Sequence, residues 1–473
     1  EESVVDEGIE ALSGTNFEPI DEENETIPAQ VSEYFYDFGR RVRKMQYEGA
    51  HQVMIAAVEA MKHDDAYGYG RTIAEKSAWK EILIAIGHLA TAEAHYIQMP
   101  FLCSGKIHPS RKENEMKKQF TSAMEHFLRT ERILAPGTVC HHICEQCLAY
   151  CNARLLLIAC HKKIVAANES HDESLDTIED SLRKLCTLVK DFHHPLLSEL
   201  AHNFNMESEL LKSLISLQRT ILYKGILETT VSLKELQERL QFWFKDIDWG
   251  GEERRGFFSS GHRHNEKWYH CRAFSYLHSY HAWLTLKYSF LYHETLSPYI
   301  NPLDMPKEGE ESIDGFTMTE VLATIKKKEK DAVMGILIDR SKDKELSYIA
   351  GRDYRSIHDT VEVKDSTSVS NGKFPILFIH SSERSQFFSY YDDMMNVIRN
   401  SQQVLDDGRR VYHLKKEPTK VTTLWCERLE SRLVLVLVIP SKRTEKDAHI
   451  VKFFSSFIST FRGSTIANKW RAT

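Results

Sequence analysis

The sequence predicts an α+β protein that is mostly α: an elongated multi-helix domain followed by a C-terminal mixed-sheet domain with flanking helices. Three observations carry this. From Val31 to about Ser297 apolar residues recur at three- and four-residue steps, as in Tyr34 to Phe38 and Ile82 to Ile86, the period of helices with one buried face. Beyond Pro298, Pro302, Pro306 and Gly309 that period gives way to short β-branched segments bounded by turn residues. Among these, Leu433 to Ile439 is apolar at every position, as a central strand covered on both faces must be.

Taken in order, residues 1–30 hold ten acidic side chains and no Lys or Arg, the composition of a disordered acidic tail. Residues 31–300 form the helical bundle domain, with helices expected at 30–62, 71–102, 110–134, 138–168, 172–190, 195–224, 229–246 and 263–297. Gly105, Pro109, Pro136, Gly137 and the turn Asp248-Trp249-Gly250-Gly251 lie in the breaks between them.

The segment Phe192 to Gln218 stands out as the central core helix. Pro195 suits a first helical turn, where its missing N–H costs nothing. Leu196, Leu200 and Phe204, then Leu210, Leu214, Leu217 and Ile221, would line its buried face; Asn203, Asn205, Glu207 and Ser208 interrupt that face, so it is expected to rotate or bend there.

Residues 301–316 read as a linker and 317–473 as the α+β domain. A short helix is expected at 319–330, strands at 333–339, 345–350, 374–380, 410–416, 421–430 and 432–439, and helices at 383–405 and 444–461. Thr444 followed by Asp447 resembles a capping box and sets the start of the last helix. The closely spaced last strands suggest an antiparallel meander, and the polar stretch 351–373 a mobile loop.

Two clusters invite a chemical reading. Cys140, Cys144, Cys147 and Cys151, with His141, His142 and Cys160-His161, contain the residue types of a zinc or redox site. Their steps of four, three and four put the thiols along one helical stripe, and a straight helix cannot wrap four ligands round one ion; free cysteine also serves as a small core residue. His262, His264, His270, His278 and His281 alternate with Trp268, Tyr269, Tyr276, Tyr280 and Trp283, a mixture that could stack on a ligand or pack a helix interface. Adjacent His193 and His194 at a helix entrance point in different directions and fit capping or packing. A metal- or ligand-binding enzyme built on Cys140–Cys151 or His262–His281 is the alternative function. No phosphate loop, nucleophile elbow, zinc-protease helix or calcium loop occurs. No residue is assigned a catalytic, cofactor-binding or metal-ligating role, and no cofactor is implied.

A net charge of −7 and a pI near 6.4 argue against a general nucleic-acid binder. The longest uninterrupted apolar runs, Leu155 to Cys160 and Leu433 to Ile439, fall short of the ~18 residues a membrane span needs. Nine cysteines, an odd number scattered through helical segments, imply a reducing compartment, the cytosol.

Four stretches carry a family resemblance: Gly87-His-Leu-Ala-Thr-Ala-Glu93, Phe192-His-His-Pro-Leu-Leu-Ser198 running on to Gln218, Lys287-Tyr-Ser-Phe-Leu-Tyr-His-Glu-Thr-Leu-Ser297, and Pro440-Ser-Lys-Arg-Thr-Glu-Lys-Asp-Ala-His449. In this order, spanning roughly Val31 to Phe461, they resemble the helical subunit family of the KICSTOR complex. The resemblance implies a non-enzymatic scaffold or adaptor. Its implied partners are the large seizure-threshold subunit, kaptin and an FG-GAP repeat protein, together with the GATOR complex that acts on Rag GTPases. Its implied place is the cytoplasm, peripheral at the lysosomal membrane through those partners. The implied role is nutrient sensing: restraint of mTOR complex one signalling when amino acids or glucose are scarce. The C-terminal element order also looks roadblock- or longin-like, a fold-level analogy. A homo-oligomer is among the assemblies this reading allows.

Overall fold

In the computed structural model the described residues are 27–63, 73–102, 110–169, 175–188, 192–221, 225–246, 271–292, 325, 329–339, 376–380, 384–418, 420–430, 433–464 and 466. Nearly all of the acidic tail, the linker 301–316, the stretch 351–373, the strand expected at 345–350 and most of the helix expected at 319–330 lie outside them.

Nine described helices precede the sheet: α1 Ala29–Arg43, α2 Tyr47–His63, α3 Ile73–Tyr96, α4 Arg111–Ile133, α5 Val139–Glu169, α6 Leu175–Leu188, α7 Ser198–Thr220, α8 Ile226–Asp246 and α9 Arg272–Leu291. Two helices are shorter than periodicity suggests, because two methionines adopt left-handed backbone. Met45, at φ 59°, divides the helix expected at 30–62. The Gln46 N–H reaches back to Arg41 O and the Met45 N–H to Val42 O, both at 2.9 Å, which satisfies α1's last carbonyls as a Schellman turn does. Met99, at φ 50°, likewise ends the helix expected at 71–102 after Tyr96, and Pro100–Leu102 continues as one 3-10 turn. Both methionine side chains are buried, so core packing offsets a conformation that usually calls for glycine.

α7 is the central helix expected from Phe192 to Gln218. Its α-helical part starts at Ser198, after a 3-10 turn at Pro195–Leu197 whose entrance is capped by the His194 ring accepting from Leu196 N at 3.2 Å. Buried residues cover one broad side of α7, which touches α1, α6, α8 and α9, and His202, Glu209, Lys212 and Ser216 mark its half-buried side. Each fully buried leucine here, such as Leu211 or Leu214, contributes about 1.5–3 kcal/mol through removal of apolar surface from water. α5 is long and apolar enough to cross a bilayer by length and composition. Its residues are instead largely buried against α3, α4 and α6, and its middle carries buried Arg154.

The C-terminal part has strands β1 Val333–Ile338, β2 Ile376–His380, β3 Val411–Lys416, β4 Val421–Glu430 and β5 Leu433–Ile439. Their order is β2-β1-β5-β4-β3, and all four pairings are antiparallel, so the sheet is not mixed as expected. The short turn from Glu417 to Lys420 and the brief gap between β4 and β5 allow only antiparallel neighbours. β5 occupies the centre and all seven of its residues are buried. One helical segment follows β2 and another follows β5, the flanking helices expected.

The expected 383–405 helix is three pieces, α10 Arg384–Ser389, α11 Tyr391–Asn400 and α12 Gln402–Asp406. Tight i→i−3 bonds at Tyr390 and Ser401 break it, which keeps Phe387, Met394, Ile398 and Leu405 all on the sheet. Phe387 lies on Gly335 of β1, where a Cβ would overlap its ring. The last helix, α13 Ala448–Arg462, is capped by Asp447, which accepts from His449 N and Ile450 N at 3.0 and 3.4 Å; Thr444 is one turn too early to serve as the cap.

The two faces of β5 enter different cores. Val434, Val436 and Val438 meet α10–α12, while Leu433, Leu435, Leu437 and Ile439 join the large core that continues into the helical part. α9 forms the seam. Phe290 stands 4.5 Å from Phe378 of β2, ring centre to ring centre, and edge-on to Phe457 and Phe461 of α13.

Candidate functional site

The thiols of Cys140, Cys144, Cys147 and Cys151 are buried along α5 and none is in a disulfide. Burial pushes the Cys144 thiol up to about 12, with the Glu131 and Glu145 carboxylates adding to it; Cys147 and Cys151 are also raised by burial. Thiols held protonated this way are poor nucleophiles and metal ligands. They serve the core, as their helical spacing implied.

Of the histidine-aromatic cluster, His262, His264, Trp268, Tyr269 and His270 lie outside the described residues. Tyr276, Tyr280 and Trp283 are buried on α9, His278 stacks on Phe274, and the His281 Nε2 meets Leu233 O at 2.9 Å. Burial lowers the His281 pKa, against that hydrogen bond. These residues join α9 to α8 and α7; they do not converge on a cleft.

Periodicity alone gave no sign of the polar centre of the bundle. Arg154 of α5, 1% exposed, lies between two buried carboxylates. Its Nε donates to Glu93 Oε1 of α3 at 2.8 Å, and its Nη1 to Glu207 Oε2 of α7. Tyr150 OH donates to Glu93 Oε1 at 2.8 Å, and Tyr96 OH donates to Glu207 Oε1. The guanidinium also sits 4.2 Å from the Tyr96 ring centre and 4.7 Å from that of Phe204. His161 Nε2 is 3.6 Å from Glu207 Oε1.

Burial would raise the Glu207 carboxyl, but Arg154, His161 and Tyr96 outweigh it and hold it at about 2. Burial raises Glu93, and its bonds from Arg154 and Tyr150 recover only part of this. One guanidinium therefore balances one carboxylate, and Glu93 is the member that favours a proton. The group is buried and its chemistry is structural: an ion pair joining three helices, with Glu93 Oε2 the one carboxylate oxygen that accepts no hydrogen bond among the described residues. Asn203, which interrupts the apolar face of α7 in the sequence, makes a second such junction: Nδ2 donates to Val42 O at 2.7 Å and Oδ1 accepts from Trp243 Nε1 at 3.2 Å.

The seam to the sheet uses the same device. Lys287 of α9, 2% exposed, pairs with Glu430 of β4 and lies 4.8 Å from the Phe461 ring centre. Trp283 Nε1 donates to Thr460 O at 2.9 Å. Arg428 joins Asp339 at 3.0 Å and Asp406 at 2.8 Å, which ties β4 to the end of β1 and to α12.

Each stretch that carried the family resemblance supplies one of these contacts: Glu93 from the first, Glu207 from the second, Lys287 and Phe290 from the third. From the fourth, Arg443 pairs with Glu329, and Asp447 caps α13. A profile of the family described as "KICSTOR complex C12orf66 like" matches residues 59–471. The chain belongs to this family. Among curated proteins it is similar to KICSTOR subunit 2 of Danio rerio, 24% identical over 422 residues, covering 83% of this chain and 88% of that one. It is also similar to KICSTOR subunit 2 of Xenopus laevis, 22% identical over 406 residues, covering 82% and 87% of the two chains. The match to the KICSTOR family runs through the helical part, the seam and the sheet alike.

Outward, α8 presents an apolar strip. Leu227, Val231 and Phe242 are 78%, 48% and 57% exposed, and they fall on one helical face with Lys234 and Glu238 between them.

Proposed function

We propose that this protein is a non-enzymatic scaffold subunit of a KICSTOR-like complex. In this role it engages the large seizure-threshold subunit, kaptin and the FG-GAP repeat protein. It helps bring the Rag-directed GATOR complex to the lysosomal surface, where it is peripheral through those partners, and so restrains mTOR complex one when amino acids or glucose are scarce.

The observation that carries the reading is the family match over residues 59–471, continuous across both parts of the fold. Supporting it, the charged side chains Arg154, Glu207, Lys287 and Arg428 are buried at junctions between elements, where they hold those elements together. The four thiols Cys140, Cys144, Cys147 and Cys151 and the buried rings Tyr276, Tyr280 and Trp283 supply packing residues.

The test is affinity purification of the full chain from cells, with the co-purifying proteins identified by mass spectrometry. The other KICSTOR-type subunits are expected, together with loss of at least one of them in a Leu227→Asp, Phe242→Asp double variant whose melting temperature is unchanged. Recovery of the folded chain alone would overturn the proposal.

A further inference from the structure

The turn between α4 and α5 brings together side chains that the scaffold role does not use. Gly137, at φ 89° with open space around it, turns the chain tightly after Pro136, and Thr138 Oγ1 accepts from His141 N at 3.3 Å to start α5. Glu131 in the last turn of α4 then faces His141 and Glu145, which are one turn apart on α5. One ligand atom from each of the three lies within 4.8 Å of the others, and all three side chains are half-buried. His141 Nδ1 is 3.5 Å from Glu145 Oε2, beyond good hydrogen-bond length, and His142 Nδ1 is 3.8 Å from the same oxygen.

The two histidine contacts to Glu145 leave Glu131 without an ion pair among the described residues. Two carboxylates share the site, and among the described residues neither forms an ion pair with a lysine or arginine. A cation placed between them would be attracted by both carboxylates. Positions i and i+4 share one face of α5, and the third donor comes from the facing α4, so three donors converge from two helices.

We propose that Glu131, His141 and Glu145 form a surface site for a divalent transition cation of the zinc type. An imidazole among the donors favours zinc over magnesium or calcium, which prefer all-oxygen shells. Zinc bonds of about 2.0–2.2 Å require the three donors to draw in by roughly an ångström, within the reach of half-buried glutamate and histidine rotamers. Three protein donors leave the fourth position of a tetrahedron to water, so the site differs from a closed structural zinc centre. Cys144 of the thiol stripe lies beside the site, whereas Cys147 and Cys151 lie further along α5.

The test uses the full chain, stripped with a chelator and free of any polyhistidine tag, titrated with zinc chloride against a chromophoric zinc indicator. One zinc per chain is expected, with magnesium and calcium chlorides failing to compete at a hundredfold excess. His141→Ala and Glu131→Gln are each expected to weaken binding more than ~tenfold, the scale seen even for outer-shell changes. Far-UV circular dichroism shows that the variants are folded, and Cys147→Ser is expected to bind as the parent does. No stoichiometric zinc uptake by the parent would overturn the proposal. So would binding that survives both ligand substitutions, or binding abolished by Cys147→Ser.

Discussion

Trp283 of α9 and Gly463, just past the end of α13, are in direct apposition: a Cβ at Gly463 would come within 2.8 Å of the indole. Gly463 is also left-handed, at φ 76°, and forms the αL cap of α13. The same indole donates to Thr460 O one turn earlier, so the end of the last helix is shaped to receive a ring from the helical part. Gly463→Ala is expected to lower stability by about 1–3 kcal/mol, combining a left-handed alanine with a displaced ring. A urea melt unchanged by this substitution would show that the seam yields freely.

Trp283→Ala is expected to cost about 3–5 kcal/mol, whereas Trp283→Phe keeps most of the packing and loses about 1 kcal/mol with the hydrogen bond. Because Trp283, Lys287 and Phe290 all cross to the sheet, the described helical and sheet parts are expected to unfold together. Coincident far-UV and near-UV transitions check this; two separated transitions in the parent chain would refute it.

Arg154 makes its two carboxylates unequal. Glu207→Gln leaves the buried guanidinium without its ionised partner, with an expected loss of about 3–5 kcal/mol. Glu93→Gln keeps an acceptor for Arg154 Nε and removes the carboxyl whose pKa burial raises. A raised folded-state pKa contributes stability below the unfolded carboxyl value of about 4.3, which is lost as pH climbs through the folded value. The stability of Glu93→Gln relative to the parent is therefore expected to improve as pH rises from acid toward neutral. Thermal melts across that range measure the slope, and a flat difference would place the proton elsewhere.

Glu207, held at about 2, works in the opposite direction. Its ionised form stabilises the fold above about pH 4.3, and that contribution fades as pH falls toward 2. Against a Glu207→Gln background, the parent's advantage is expected to shrink under acid.

Alkylation of the native chain at pH 8 is expected to spare Cys140, Cys144, Cys147 and Cys151 and, among the described cysteines, to reach half-buried Cys186 first. Peptide mapping before and after unfolding in guanidinium reads this directly. Rapid native labelling of Cys147 would mean that α5 opens far more readily than its packing implies.

The helical character of the first part, the change of period after Pro298, the central β5 strand and the core role of the cysteine stripe all follow from local spacing, because burial on one face imposes 3.6 or 2 on the residue pattern. Met45 and Met99 were illegible, since a left-handed methionine is chosen by what its side chain packs against and leaves no glycine to announce the break. The three-way division of residues 384–406 was hidden for a similar reason: each break follows the surface of a sheet made by other segments.

Polar residues show the division most clearly. Asn203 and Glu207 appear in the chain only as interruptions of an apolar face. Their meaning comes from Val42, Trp243, Tyr96 and Arg154, between 40 and 161 residues away. Helix period, strand period and chain punctuation are properties of neighbours in sequence, and they already specify which elements form and roughly where. Which charges meet in the interior depends on how those elements dock, since desolvation makes a buried Arg154 tolerable only once Glu93 and Glu207 arrive beside it from separate helices.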